Sequence, residues 1–144
     1  MRSVIESLLD RGHTLSVVSS EGNGALDNVT QNGNIKYDYL YYHPHKNRLV
    51  WVLVFVWAQI VLFFKALKHK ESSIFYINTL MPVGAAFAGR VLNKRIVYHY
   101  HENAFAKSAS YRFLCRIMLA LADEIICVSN YQRSFLPESK KIVV

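Results

Sequence analysis

Arg95-Ile96-Val97-Tyr98-His99-Tyr100-His101-Glu102-Asn103 is the stretch whose reading decides the fold. Ile96, Val97 and Tyr98 are β-branched or aromatic, the types that suit a pleated, packed surface. Three functional side chains, His101, Glu102 and Asn103, then arrive together where the strand should end. In an open α/β sheet, ligands bind just beyond the carboxyl ends of the strands. Residues 122–131 (ADEIICVSNY) repeat the layout, with an apolar run, a polar Ser129-Asn130 tip and then a helix.

Upstream, residues 74–77 (IFYI) predict a short strand with its own polar tip, Asn78-Thr79. Pro82 fits the first turn of a helix, and Gly84, Ala85, Ala86, Ala88 and Gly89 let that helix lie close to a sheet. Asn93 can stop it in a left-handed conformation. Residues 47–69 read as a long apolar helix, and residues 35–42 as an aromatic-rich strand closed by His43-Pro44-His45. At the start, Val4, Ile5, Leu8 and Leu9 form one stripe of a helix over residues 2–11. Gly12 is its stop, and residues 13–20 form a strand. Downstream, residues 108–122 predict a helix with Phe113, Leu114, Ile117, Met118 and Leu121 inside and Arg112 and Arg116 outside. A short helix runs from Asn130 to Pro137, and Ile142 opens another strand. Alternating strands and helices call for an α/β fold, Rossmann-like, with a parallel sheet and helices on both faces.

The 144 residues fit one domain, 1–144, or part of one. Hydrophobic residues make up 52%, enough for a core and too many for a disordered tail. Cys115 and Cys127 sit in apolar runs and read as small buried hydrophobes of a reducing compartment. Residues 1–10 lack the apolar region of a secretory signal. The net charge of +7 is unevenly placed, with −1 in residues 1–47 and +8 in residues 48–144. A basic face implies an anionic partner, but no nucleic-acid module is present, so the expectation is no nucleic acid. The chain opens on a helix and closes inside a strand, so both ends read as cut.

Several patterns carry no site. His99 and His101 lie two apart on one face of their strand, but no third or fourth ligand is near, so no metal is expected. His99 reads instead as packed in the sheet. Gly22-Asn23-Gly24 lacks the third glycine and the prompt helix of a dinucleotide fingerprint. Gly84 to Gly89 has phosphate-loop spacing, but Arg90 stands where lysine is required. Residues 49–64 are sixteen in a row without charge. As a helix they reach roughly 24 Å, short of a hydrocarbon core of about 30 Å. A helix on the membrane surface, or packed with one edge exposed, fits better than a span. Trp51 and Trp57 suit an interface, and Lys65, Lys68, Arg112 and Arg116 suit anionic lipid; an ordinary solvated face is the alternative.

In order and spacing the pieces resemble the amino-terminal half of family 4 glycosyltransferases of the GT-B fold. The matching residues are Leu9-Asp10-Arg11-Gly12-His13, Tyr76-Ile77-Asn78-Thr79, His101-Glu102, Ala122-Asp123-Glu124 and Val128-Ser129-Asn130-Tyr131. The resemblance covers nearly the whole chain. It implies sugar transfer from a nucleotide-sugar, typically with retention and without a required metal or other cofactor. It also implies that this half receives the acceptor while a carboxy-terminal half holds the donor. Members begin with a strand and glycine-rich loop that Met1 follows, so the resemblance describes a fragment, inactive alone. On this reading His101 orients the transferred sugar, since a neutral imidazole offers one donor and one acceptor. Glu102 and Asn103 either contact acceptor hydroxyls or cap the next segment. Asn78, Thr79, Ser129 and Asn130 line the cleft, cap helices, or both. The expected role is envelope polysaccharide synthesis on a glycan or lipid-linked acceptor, peripheral on the cytoplasmic membrane face. A small membrane-associated binding protein without chemistry is the alternative.

Overall fold

The computed structural model describes residues 2–20, 34–40, 42, 45–72, 74–101, 109–139 and 141–144. They fall into two compact units, Met1–Ala58 and Gln59–Val144.

The first unit opens on α1 (Arg2–Asp10), which buries Ile5. Gly12 ends it with φ 79°. The Gly12 N–H donates to Leu9 O at 2.8 Å and the His13 N–H to Leu8 O at 3.1 Å, the paired bonds of a left-handed helix stop. Then β1 (Leu15–Ser20) pairs in parallel with β2 (Ile35–Leu40), Leu15 opposite Ile35 and Ser20 opposite Leu40. Asn47 caps α2 (Arg48–Leu67), its Oδ1 accepting the Leu49 N–H at 2.9 Å.

The second unit is a four-stranded parallel sheet in chain order: β3 (Ile74–Asn78), β4 (Arg95–Tyr100), β5 (Glu124–Cys127) and β6 (Ile142–Val143). The helices α3 (Val83–Val91), α4 (Ala109–Leu121) and α5 (Asn130–Arg133) alternate with the strands. The expected α/β parallel architecture is present in each unit. Among the described residues β1 pairs with β2 alone, and β3 with β4 alone.

One face of the larger sheet carries the core. Phe75, Ile77, Ile96, Tyr98, Tyr100, Ile125, Cys127 and Ile142 all point there and are all buried. The α3 helix lies directly on them. A Cβ added at Gly89 would sit 3.0 Å from Ile96 Cγ1 and 3.3 Å from Phe75 Cγ. At Gly84 a Cβ would come within 2.2 Å of the Gln59 carbonyl oxygen, so glycine there sets how closely α3 approaches α2. Gln59 also supplies the helix cap that Pro82 cannot, its Oε1 accepting the Gly84 N–H at 3.1 Å. Leu114, Cys115 and Met118 of α4 add to the same core. Burial pushes the Cys115 thiol up to about 11, with Cys127 adding to the shift. Both cysteines are free and buried, as their apolar settings imply.

Asn93 ends α3 with φ 54°, the Lys94 N–H reaching Gly89 O at 2.8 Å. At the bottom of the sheet, Asp123 Oδ2 accepts the Ile96 N–H at 2.8 Å and its Oδ1 meets Arg90 at 2.8 Å. Partial burial alone would raise the Asp123 pKa. The Ile96 hydrogen bond, Arg90 and Lys141 outweigh it and hold the carboxyl below its usual range. Arg95 and Glu124 pair beside it.

Candidate functional site at the strand tips

The opposite face of the sheet is built differently. The register sets Tyr76 beside Val97, Asn78 beside His99, and His99 beside Ile126. Of these only Val97 is buried; Tyr76, Asn78, His99 and Ile126 are half-buried. Three rings climb this face toward the carboxyl ends. Tyr76 and His99 have centroids 6.0 Å apart at 55°. His99 and His101 lie 5.8 Å apart and nearly parallel, at 18°. His101 is exposed at the tip. The sequence places His99 inside the packed sheet; here it is half-buried among rings, and its Nδ1 is buried with no hydrogen-bond partner among the described residues. Burial, and after it the charge on His101, holds the His99 imidazole pKa below its ordinary value. The two rings stack instead of converging on a shared point, and no group of three His, Cys, Asp or Glu among the described residues gathers to hold a metal.

Backbone and side-chain bonds tie the three tips together. The Thr79 N–H donates to His99 O at 3.2 Å and the Val128 N–H to Tyr100 O at 3.3 Å. Thr79 has φ 81°, a left-handed conformation that a β-branched residue adopts only under strain. Its Oγ1 accepts the Met81 N–H at 3.1 Å. Ser129 caps α5, accepting the Gln132 N–H at 3.3 Å and donating its hydroxyl to Gln132 Oε1 at 3.0 Å. Gln132 Nε2 in turn donates to the His101 carbonyl at 2.7 Å.

Asn78, Thr79, Ser129 and His101 therefore gather at one end of one sheet. Asn130 is exposed in the first turn of α5. Glu102 and Asn103 lie outside the described residues. Gln132 is a member that the sequence motifs do not single out. Its signal is the S-x-x-Q spacing from Ser129, a capping box, although here the glutamine amide turns to the neighbouring strand.

The residues expected at a membrane form two groups. On α2, Leu49, Leu53, Val56, Trp57, Ile60 and Phe64 are exposed along one stripe, Trp57 by 66%. Ala58, Leu62 and Ala66 are buried on the other side. Trp51 is half-buried and stacks on Phe55 at 5.6 Å. Lys65 is half-buried and Lys68 exposed. Arg112 and Arg116 are exposed one turn apart on α4. The α2 helix has 20 residues where sixteen uncharged ones are legible, and its length and mean hydropathy of 2.2 are enough to cross a membrane.

The structure resembles that of MurG from Acinetobacter baumannii, with a TM-score of 0.61 at 16% identity. The alignment covers 98% of this chain and 38% of the MurG chain, so the chain spans well under half the length of that protein. No curated protein matches it in sequence. The family model described as Glycosyltransferase Family 4 matches residues 1–144. A parallel α/β sheet, polar groups gathered at its carboxyl end and a family match over every residue lead to one conclusion: the chain belongs to glycosyltransferase family 4.

Proposed function

We propose that this domain is the acceptor-side half of a retaining glycosyltransferase that uses a nucleotide-sugar and works at the cytoplasmic face of a membrane, in envelope polysaccharide synthesis. The observation that carries the reading is the cross-tied cluster of His101, Thr79, Ser129 and Gln132 at the carboxyl ends of β3, β4 and β5. Parallel sheets hold their ligands at that end. Retention and the division of labour between halves follow the family.

In such a transfer the bond between the anomeric carbon and the donor phosphate breaks, and the phosphate leaves with the electron pair. The acceptor oxygen bonds to the same face of the sugar and releases its proton. The sugar is cation-like in between. His101, exposed on a strand tip whose carbonyl Gln132 anchors, can hold a sugar hydroxyl in register with the break. Asn78 and Asn130 are placed to meet further hydroxyls, of sugar or acceptor, and Glu102 and Asn103 follow His101 directly in sequence.

The α2 helix supports a peripheral attachment rather than a span. One side is packed, with Gln59 bonded to Gly84 and Ala58, Leu62 and Ala66 buried. The other presents the apolar stripe, with Arg48 and Lys68 near its ends. A helix of this kind lies in the interface with its apolar face in the acyl boundary.

The test is sugar transfer by the protein that joins this domain to a donor-binding half, using a panel of nucleotide-sugars and lipid-linked acceptors. Transfer with the anomeric configuration kept supports the reading. No nucleotide release with any donor rejects it. The 144 residues alone should be silent, because this half does not hold the donor. Carbonate washing should free the protein from membranes; release only by detergent would mean that α2 spans.

A further inference from the structure

The half-covered face contains a residue whose geometry gives it more than a packing role. We propose that His99 is a positioning residue: its ring is the plane against which His101 stacks, so that His101 presents one edge to the sugar. The inference rests on the proposed transfer reaction, in which His101 orients the sugar.

Four observations carry it. First, the His99 and His101 rings are 5.8 Å apart and only 18° from parallel. His101 follows β4 directly, and its ring lies on the His99 side, as for residues two apart on a strand. Second, His99 has another ring beside it, Tyr76 of β3 at 6.0 Å, which limits how far it can swing. Third, its own backbone is tied, because the Thr79 N–H donates to its carbonyl. Thr79 accepts a strained left-handed φ of 81° in the turn that delivers this bond. Fourth, His99 Nδ1 is buried with no partner among the described residues. A histidine kept for hydrogen bonding within the fold would have that nitrogen satisfied. What the site uses is the flat ring.

His101 is held by different means. Its carbonyl is fixed by Gln132 Nε2 at 2.7 Å, which sets the backbone but leaves two side-chain rotors. Among the described residues, the ring contact that restrains those rotors is His99. Burial keeps the His99 imidazole toward its neutral form. Tyr76, also on this face, has its phenol pKa raised by burial and is neutral. The Arg95–Glu124 pair lies toward the opposite ends of its strands.

The experiment compares His99→Ala and His99→Phe in the protein that joins this domain to its donor-binding half. Phenylalanine keeps the plane and deletes both nitrogens; alanine deletes the plane. Three quantities are read: the imidazole proton shifts of His101, steady-state nucleotide release from the nucleotide-sugar, and the melting temperature. The expected result for His99→Ala is a His101 ring that loses its ring-current shift and a kcat about tenfold to a hundredfold lower, the usual cost of a misplaced group. KM should stay within about twofold, since the loss is in the transition state. His99→Phe should restore both the shift and kcat. A purely structural role would move the melting temperature and leave the kcat of the folded enzyme alone. If alanine changes neither shift nor kcat, the proposal is wrong. If phenylalanine is as slow as alanine, the nitrogen matters and His99 touches substrate, which also overturns it. If the unaltered protein transfers no sugar at all, the functional reading falls instead, and the His101 shifts still decide whether His99 sets its plane.

Discussion

Ile125 and Ile126 are neighbours on β5, chemically identical, and the sheet treats them differently. Ile125 is fully buried against the α3–α4 side, with Ile96, Tyr98 and Cys127 around it. Ile126 is half-buried on the other side, in register with His99. One face is closed, apolar and sealed by two helices. The other keeps rings and an amide half open to solvent, with the His99 Nδ1 buried among them. Alternation along a strand lets one element serve a core and a site at once. Buried apolar residues and half-open polar ones are thus segregated by face, and the polar face leads directly to the tips.

Truncating each isoleucine puts this segregation under the heaviest load. Ile125→Ala should cost about 4 kcal/mol, the range for a fully buried isoleucine whose cavity cannot collapse. Ile126→Ala should cost about 1 kcal/mol, since much of that side chain is already in water. Urea unfolding of each variant measures the gap, and equal losses would mean that the two faces are not distinct.

A gain in stability should come from the tip. Thr79→Asn removes a β-branched residue from a left-handed φ and keeps an oxygen for the Met81 N–H. Asparagine tolerates that conformation, so unfolding should become harder by about 1 kcal/mol. A loss would show that the threonine is not strained, and that the tip is optimised for stability as the core is.

A weaker effect should appear in pH. Asp123 is held below its usual pKa in the fold. A carboxylate depressed by folding contributes stability that is present above the unfolded pKa of about 4 and is lost as pH falls through the folded value. The melting temperature should therefore be flat in this respect from pH 7 to about 5 and fall below about 4. Asp123→Asn should flatten that fall modestly, because the Arg90 pair is about a third exposed and screened. An unchanged acid limb would remove Asp123 from the account.

Much of the fold is legible in the amino-acid sequence. The order of elements follows from periodicity, and the helix stops at Gly12 and Asn93 follow from which residues accept left-handed backbone. The gathering of Asn78, Thr79, Ser129 and His101 follows from parallel strands that end in polar residues. Other features are out of its reach. Which strands pair is a long-range matter that leaves no local pattern. The uncharged run understates the apolar reach of α2 because Lys65 ends it, whereas a lysine with an aliphatic stem does not end a helix and Ala66 stays buried. The stacking of Tyr76, His99 and His101 and the reach of Gln132 to His101 are tertiary contacts between strand and helix. The capping-box spacing hints at Gln132, but not at where its amide goes.

In this account the tip of β4 works on the sugar while the buried face of the sheet holds the fold. Turnover by His101→Ala, in the protein that joins this domain to its donor-binding half, separates the two roles when it is read together with the melting temperature. His101 is exposed, so melting should barely change. Turnover should fall by about tenfold to a thousandfold, the loss of one or two good hydrogen bonds in the transition state. Turnover left intact, or a protein that simply unfolds, would place His101 in the scaffold and contradict the account.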